Sequence, residues 1–225
     1  ARVDVSDPDS IEMFVESSSI PKVDVLVNNA GVLLNERTAT SHGLEQTLAT
    51  NLVGPLRLTA MVLPLLRKGD RSRIIWVASG GMYAKSLNVD TLHNPPDPFD
   101  GVAAYAQTKR AMVVLNELLA EALIPHGIAS HCMHPGWANT PGVERSIPVF
   151  WKLTRPILRS AESGADTILW LAACDKAQET PGLFWFDREA RKTHLIRGTR
   201  STKEERQLCW DQLHRWANIS PSVWR

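Results

Sequence analysis

Short β-branched and apolar runs alternate along the chain with longer stretches whose apolar positions recur every three or four residues, the pattern of strands and helices laid down in turn. Residues 3–5 (VDV) read as the stub of a strand. Ser6-Asp7-Pro8 then supplies a cap and an early proline, predicting a helix whose apolar face holds Ile11, Phe14 and Val15. Residues 23–27 (VDVLV) are nearly all apolar, as expected of a strand covered on both faces, and run directly into Asn28-Asn29-Ala30-Gly31. Over residues 43–68, Leu44, Leu48, Leu52, Leu56, Met61, Leu65 and Leu66 keep helical spacing until Gly69-Asp70 ends it. A strand at 74–78 leads into Ser79.

Glycine and proline pairs make most of residues 80–104 a loop, and its length marks it as functional. A helix at 105–123 is stopped by Pro125, and a strand at 128–133 ends in His134-Pro135-Gly136. Residues 137–160 read as an irregular, proline-rich lid over the substrate; 161–173 are helical and 183–186 form a last strand. An exposed helix within 202–218 closes the chain on Leu208, Trp210 and Leu213. The alternation predicts one α/β domain over residues 1–225: a Rossmann-type doubly wound parallel sheet with helices on both faces.

Composition narrows the function classes. With 25 basic and 24 acidic side chains, net +1, the chain has no charge excess for nucleic acid. Its 3 cysteines show no CxxC or Cys/His spacing, which points to a reducing, intracellular compartment and to no metal. The apolar stretch at 56–66 is broken by Arg57 and reads as no transmembrane span, and the first residues are not a secretory signal. Of the 8 tryptophans, only Trp137 is given a functional reading.

The candidate chemistry centres on Tyr105 and Lys109. On a helix, positions four apart share a face, so the Lys109 ammonium is expected near the Tyr105 phenol, lowering its pKa and making it a usable acid or base. Hydride transfer at a carbinol carbon needs such a group for the oxygen-bound proton and a second donor to hold the oxygen. Ser79, where a strand emerges into a loop, fits the second role.

These residues together resemble the short-chain dehydrogenase/reductase family, on its retinol-dehydrogenase-like branch. The family's NNAG motif is Asn28, Asn29, Ala30 and Gly31; its helix asparagine is Asn51, with Gly54 three residues on; its serine is Ser79, its YxxxK is Tyr105 and Lys109, and its proline-glycine turn is Pro135-Gly136 with Thr140 following. Thr108 stands where serine is usual, and the 26-residue spacing from Ser79 to Tyr105 is long for the family but shared by that branch. The resemblance implies an NAD(P)-dependent oxidoreductase with Asn51, Ser79, Tyr105 and Lys109 as catalytic residues. It implies that Asn28, Ala30, Gly31, Tyr105, Lys109, Pro135, Gly136 and Thr140 line the NAD or NADP site, with Asn51 holding a water that links Lys109 to solvent. Asp4 and Val5 match the family's adenine contact, although Asp4 reads equally well as a solvated strand-end acid.

Members of the family begin with a strand, a glycine-rich turn and a helix whose N-terminus receives the cofactor diphosphate, and no such glycine cluster precedes a helix here. The reading is therefore of an N-terminally truncated domain lacking its first two β-α units, on the order of 50 to 60 residues. Strand 23–27 is then expected to present an unpaired edge, and residues 1–225 to bind nicotinamide dinucleotide weakly. The residue that chooses NAD over NADP is absent. The substrate is expected to be a lipophilic alcohol or carbonyl, because the lid carries Ile147, Val149, Phe150, Trp151, Leu153, Ile157 and Leu158. Interleaved Lys152, Arg155 and Arg159 make peripheral membrane contact the alternative use of that segment. Helices starting at Leu44 and Tyr105 commonly pair across a homodimer in the family. A non-catalytic binding or dimerisation module is the rival to an enzyme.

Overall fold

A computed structural model describes residues 2–139, 141–146 and 148–225. Helix α1 (Pro8–Ser17) starts as its sequence predicts, with the Asp7 carboxylate accepting from the Asp9 amide. Residues 3–5 form no strand: they have no neighbour to pair with, and the chain turns at once, the Asp7 amide donating to the Asp4 carbonyl at 3.2 Å. Strand β1 (Val25–Asn28) leads to helix α2 (Gln46–Leu66), which begins on the Glu45 carboxylate and carries a π-turn at Ala49–Val53. Then come β2 (Arg73–Val77), the short helix α3 (Asp90–His93), α4 (Gly101–Leu123) and β3 (Ala129–Met133).

Helices α5 (Pro141–Ser146), α6 (Pro148–Thr154), α7 (Ala161–Ala173) and α8 (Asp175–Glu179) precede the hairpin β4 (Phe184–Phe186) and β5 (Glu189–Arg191), and α9 (Lys203–Ala217) follows. The segment read as an irregular lid is thus largely helical. The strand read as last has an antiparallel successor. Asp187 and Arg188 turn between the two at φ 51° and 59°, the left-handed pair a two-residue hairpin demands. Arg159 grips Asp187 through two hydrogen bonds and Arg188 pairs with Asp166, so side chains hold a turn that usually relies on glycine.

The sheet runs β1-β2-β3-β4-β5, the first four strands parallel. Every residue of β2 and β3 is buried, whereas β1 pairs with β2 alone and leaves Val27 38% exposed. The expectation of cover on both faces fails for β1, and the expectation of an open edge holds. Ile74 and Trp76 face a core built with α2 and α4, while Ile75 and Val77 face a second core with Leu171 of α7, Ala177 of α8 and Trp185. This is the two-sided cover of a doubly wound sheet.

Helix α2 is long and apolar enough to cross a membrane by length and composition, contrary to the sequence reading, but Leu48, Leu52, Leu56 and Leu66 are fully buried in the core. Arg57, the charge within its apolar run, pairs with Glu12 of α1 and donates to the Ala217 carbonyl at 2.7 Å, joining three helices. Helix α9 crosses both α2 and α4, burying Cys209 and Leu213 while leaving Leu208 44% exposed, so the last of these is not the inward contact expected. A homodimer through α2 and α4 would have to pack around α9.

Gly54 explains its own place three residues after Asn51. A Cβ there would lie 1.6 Å from the Val5 carbonyl oxygen, so only glycine lets the chain entering α1 lie directly on α2. Gly54→Ala is expected to cost at least about 2 kcal/mol, because backbone rather than a flexible side chain must move. Urea denaturation reads this loss; an unchanged midpoint would contradict the contact.

Candidate active site

The ends of β1 and β2 and the second turn of α4 meet at one place. After β2, the Ala78 amide still pairs with the Met133 carbonyl at 2.7 Å, which carries the strand's geometry up to Ser79. Ser79 caps a tight helical turn at Gly80–Ala84, its Oγ accepting from the Gly81 amide at 3.2 Å. The Gly80 amide donates to His134 Nδ1 at 3.0 Å, and the His134 ring stacks on Phe186 with centroids 5.1 Å apart. Burial holds the His134 pKa down at about 4, so the ring is neutral at pH 7 and free to accept that hydrogen bond. Sequence reasoning gave His134 no role. Its signal was the glycine opposite, where a Cβ would sit 2.9 Å from the imidazole.

Helix α4 begins four residues before Tyr105, capped by Asp100, because Gly101 permits an approach to the Leu34 carbonyl that a Cβ would block at 1.8 Å. Tyr105 is half-buried, with Ser79 near enough to its hydroxyl to act on its pKa. Lys109, one turn on, is 3% exposed and donates to the Val77 carbonyl at 2.8 Å. Its ammonium lies 5.5 Å from the Tyr105 ring centroid.

The expected lowering of the phenol pKa is not found. Burial raises Tyr105 above its ordinary value, and the neighbouring Ser79 hydroxyl offsets this only in part. The ammonium that should have lowered it is aimed at Val77, and burial brings Lys109 itself down to about 8. Both members of the dyad are therefore displaced toward their neutral forms by desolvation.

Asn51 lies in the π-turn of α2 and is fully buried. Its carboxamide makes a two-way clasp on Val32, accepting from the amide at 2.7 Å and donating to the carbonyl at 2.9 Å. It also donates to Thr108 at 3.3 Å, and Thr108 in turn donates to the Tyr105 carbonyl at 2.8 Å. The threonine that replaces the usual serine thus joins Asn51 to the backbone of the dyad. A π-turn inside an α-helix is a frequent mark of a functional position.

Gly31 sits over this network: a Cβ there would lie 3.4 Å from Asn51 Oδ1 and 3.5 Å from Lys109 Nζ. Asn29, Ala30 and Gly31 are exposed, while Asn28 is buried and donates to Thr59 at 3.0 Å, fastening the end of β1 to α2. Gly136 turns at φ 79°, with Arg159 filling the space a Cβ would need. The Asp4 carboxylate accepts from the Ser6 amide and hydroxyl at 2.9 and 2.8 Å, which pulls its pKa below the usual carboxylate range and gives it a local structural task. Thr140 and Ile147 lie outside the described residues, as does the side chain of Phe150. Ser146 of α5 donates to the Leu33 carbonyl at 2.8 Å, attaching the segment after Gly136 to the loop that follows Gly31. In that segment Val149, Leu153 and Ile157 are strongly exposed, as is nearly half of Trp137. Neither of two surface cavities, of about 310 and 170 Å³, is lined by Ser79, Tyr105 or Lys109.

Three similarities bear on this arrangement. The chain is 44% identical over 210 residues to human (Homo sapiens) dehydrogenase/reductase SDR family member 12, covering 92% of this chain and 66% of that protein. It is 28% identical over 212 residues to retinol dehydrogenase 12 of Bos taurus, with the same coverage. A crystal structure of a putative uncharacterized protein from Mycobacterium paratuberculosis superposes with a TM-score of 0.75, covering 98% of this chain and 75% of that one at 21% identity, and so shares the fold. The chain spans 66% of the length of the first two relatives. Residues 1–148 match the family model described as short chain dehydrogenase, and the chain belongs to the short-chain dehydrogenase/reductase family, with relatives on its retinol-dehydrogenase-like branch.

Proposed function

We propose that this chain carries the acid/base site of an NAD(P)-dependent oxidoreductase that interconverts an alcohol and a carbonyl on a lipophilic small molecule. The observation that carries this reading is the buried Lys109, held by the Val77 carbonyl at the end of the strand that leads into Ser79 and one helical turn from Tyr105. A fold spends stability to bury an amine, and perturbed titratable groups of this kind concentrate at functional sites. In the proposed roles Tyr105 gives or takes the oxygen-bound proton, Ser79 holds the oxygen, Lys109 supplies positive charge beside the phenol, and Asn51 positions the Lys109 turn through Thr108.

The exposed Asn29-Ala30-Gly31 edge fits a cofactor, because Gly31 opens directly over Asn51 and Lys109. Val5, Asn28, Ala30, Gly31, Tyr105, Lys109, Pro135, Gly136 and Thr140 would hold it, whereas the Asp4 carboxylate is engaged by Ser6. When bound, the nicotinamide exchanges a hydride with the substrate carbon. Two things support a lipophilic substrate: the name of the retinol dehydrogenase relative, and the exposed Val149, Leu153 and Ile157 in the segment that Ser146 ties to the loop after Gly31.

The test is turnover of retinoids, steroids and aliphatic aldehydes with NADH and NADPH, in a protein that joins this chain to the glycine-rich segment the family uses. The substrates are presented in detergent and in vesicles. Oxidation or reduction of at least one class is expected. A requirement for vesicles assigns the exposed apolar side chains to membrane contact instead of substrate cover. No turnover of any class, with cofactor demonstrably bound, would favour a non-catalytic binding module.

A further inference from the structure

A cavity of about 310 Å³ lies between α4, the segment at 193–201 and α9, apart from the Tyr105 site. Its α4 wall is one helical stripe: Arg110, Val113, Val114 and Glu117, at spacings of three, four and seven. Arg110 directly follows Lys109 and is 3% exposed. Its Nε donates to the carbonyls of Met82 and Lys85 at 3.1 and 3.0 Å, and its Nη1 to the Thr193 carbonyl at 2.6 Å. Its Nη2 is buried with no partner among the described residues.

A guanidinium does not give up its charge, so the buried Arg110 keeps a full positive charge in the wall of this cavity. Thr47 and Arg57 also have an unpartnered buried atom, but neither residue lines this cavity. Arg200 and Arg206 add two further guanidinium groups, whereas the carboxylate of Glu117, already paired with Arg206, is the one acid in the lining. Three cations against one anion leave two positive charges in excess. Thr199 and Ser201 add hydroxyl donors.

We propose that this cavity is a binding site for a phosphate group, as inorganic phosphate or as the phosphate of a lipid headgroup. Two excess charges match a phosphate near its dianion, and the planar fork of arginine suits its oxygens. The volume is that of a small-ligand site. Leu195 and Ile196, 70% and 65% exposed, lie in the same segment between the lining residues His194 and Thr199, where they would meet the apolar part of a lipid. Because Arg110 also holds the Met82 and Lys85 carbonyls, the site is braced against the turn that Ser79 caps.

The experiment titrates the 225-residue protein with inorganic phosphate by calorimetry against chloride of matched ionic strength, and with phosphatidylcholine vesicles with and without phosphatidic acid by co-sedimentation. Saturable phosphate binding supports a free phosphate ligand; binding to phosphatidic-acid vesicles without it supports the headgroup. Arg200 is exposed and bonds to no other side chain or carbonyl among the described residues, so Arg200→Gln is expected to keep the fold and weaken whichever binding is seen by about tenfold. No saturable binding in either arm, or binding unchanged by Arg200→Gln, overturns the proposal.

Discussion

Lys109→Met is expected to flatten the dependence of stability on pH between about pH 7 and 10, and to lose turnover in the same protein. In the folded chain the amine titrates at about 8, below its ordinary 10.5, because it is fully desolvated. The unfolded chain therefore binds the extra proton between those values, and native stability rises with pH across that window. Below pH 8 the cost of the buried ammonium is present in full. At 1.36 kcal/mol per pKa unit it amounts to about 3 kcal/mol.

Methionine has no proton to lose, so the stability of the variant relative to the native protein should fall by about 2 to 3 kcal/mol as pH rises from 7 to 10. Other groups titrate in this range, but they do so in both proteins and cancel. The variant also leaves the Val77 carbonyl without the Lys109 hydrogen bond, which costs about 1 kcal/mol at every pH and does not alter the slope. Urea midpoints measured across the window decide the matter. A difference that stays constant with pH would show that the amine is not desolvated as the structure has it.

The parts of the fold that could be read in the sequence are those where local chemistry and global packing agree. Asp7 and Pro8 start α1 because a carboxylate and a fixed φ are what an N-terminus needs, and the leucines of α2 keep one face against the sheet. Ser79, Tyr105 and Lys109 could be brought together from spacing and order along the chain, and the geometry brings them together at the end of β2.

What could not be read depends on contacts distant in sequence. The β4–β5 hairpin turns on Asp187 and Arg188, which lack the glycine signature because Arg159 and Asp166 hold them from elsewhere. The start of α4 at Gly101 depends on the Leu34 carbonyl, and the exposure of β1 on its place at the sheet edge. The direction of the Tyr105 shift was misread for the same reason. Spacing along a helix places Lys109 beside the phenol, but it does not say that Val77 claims the ammonium or that burial outweighs charge.

Tyr105→Phe carries the other large effect. The ring packs as before and loses only its hydroxyl, so the fold and the surfaces around Gly31 should persist, while the proton has no donor or acceptor at the reacting oxygen. General acid/base catalysis by a placed side chain contributes about 10² to 10⁴ in rate, and the loss should fall in kcat rather than in cofactor affinity.

The most direct test is single-turnover deuteride transfer from C4-deuterated nicotinamide to a lipophilic aldehyde, in a protein that joins this chain to the family's glycine-rich segment, native beside Tyr105→Phe. Transfer slowed by about 10² to 10⁴ at unchanged cofactor affinity is the predicted result; transfer at the native rate would contradict the assignment of Tyr105 as the acid/base of this site.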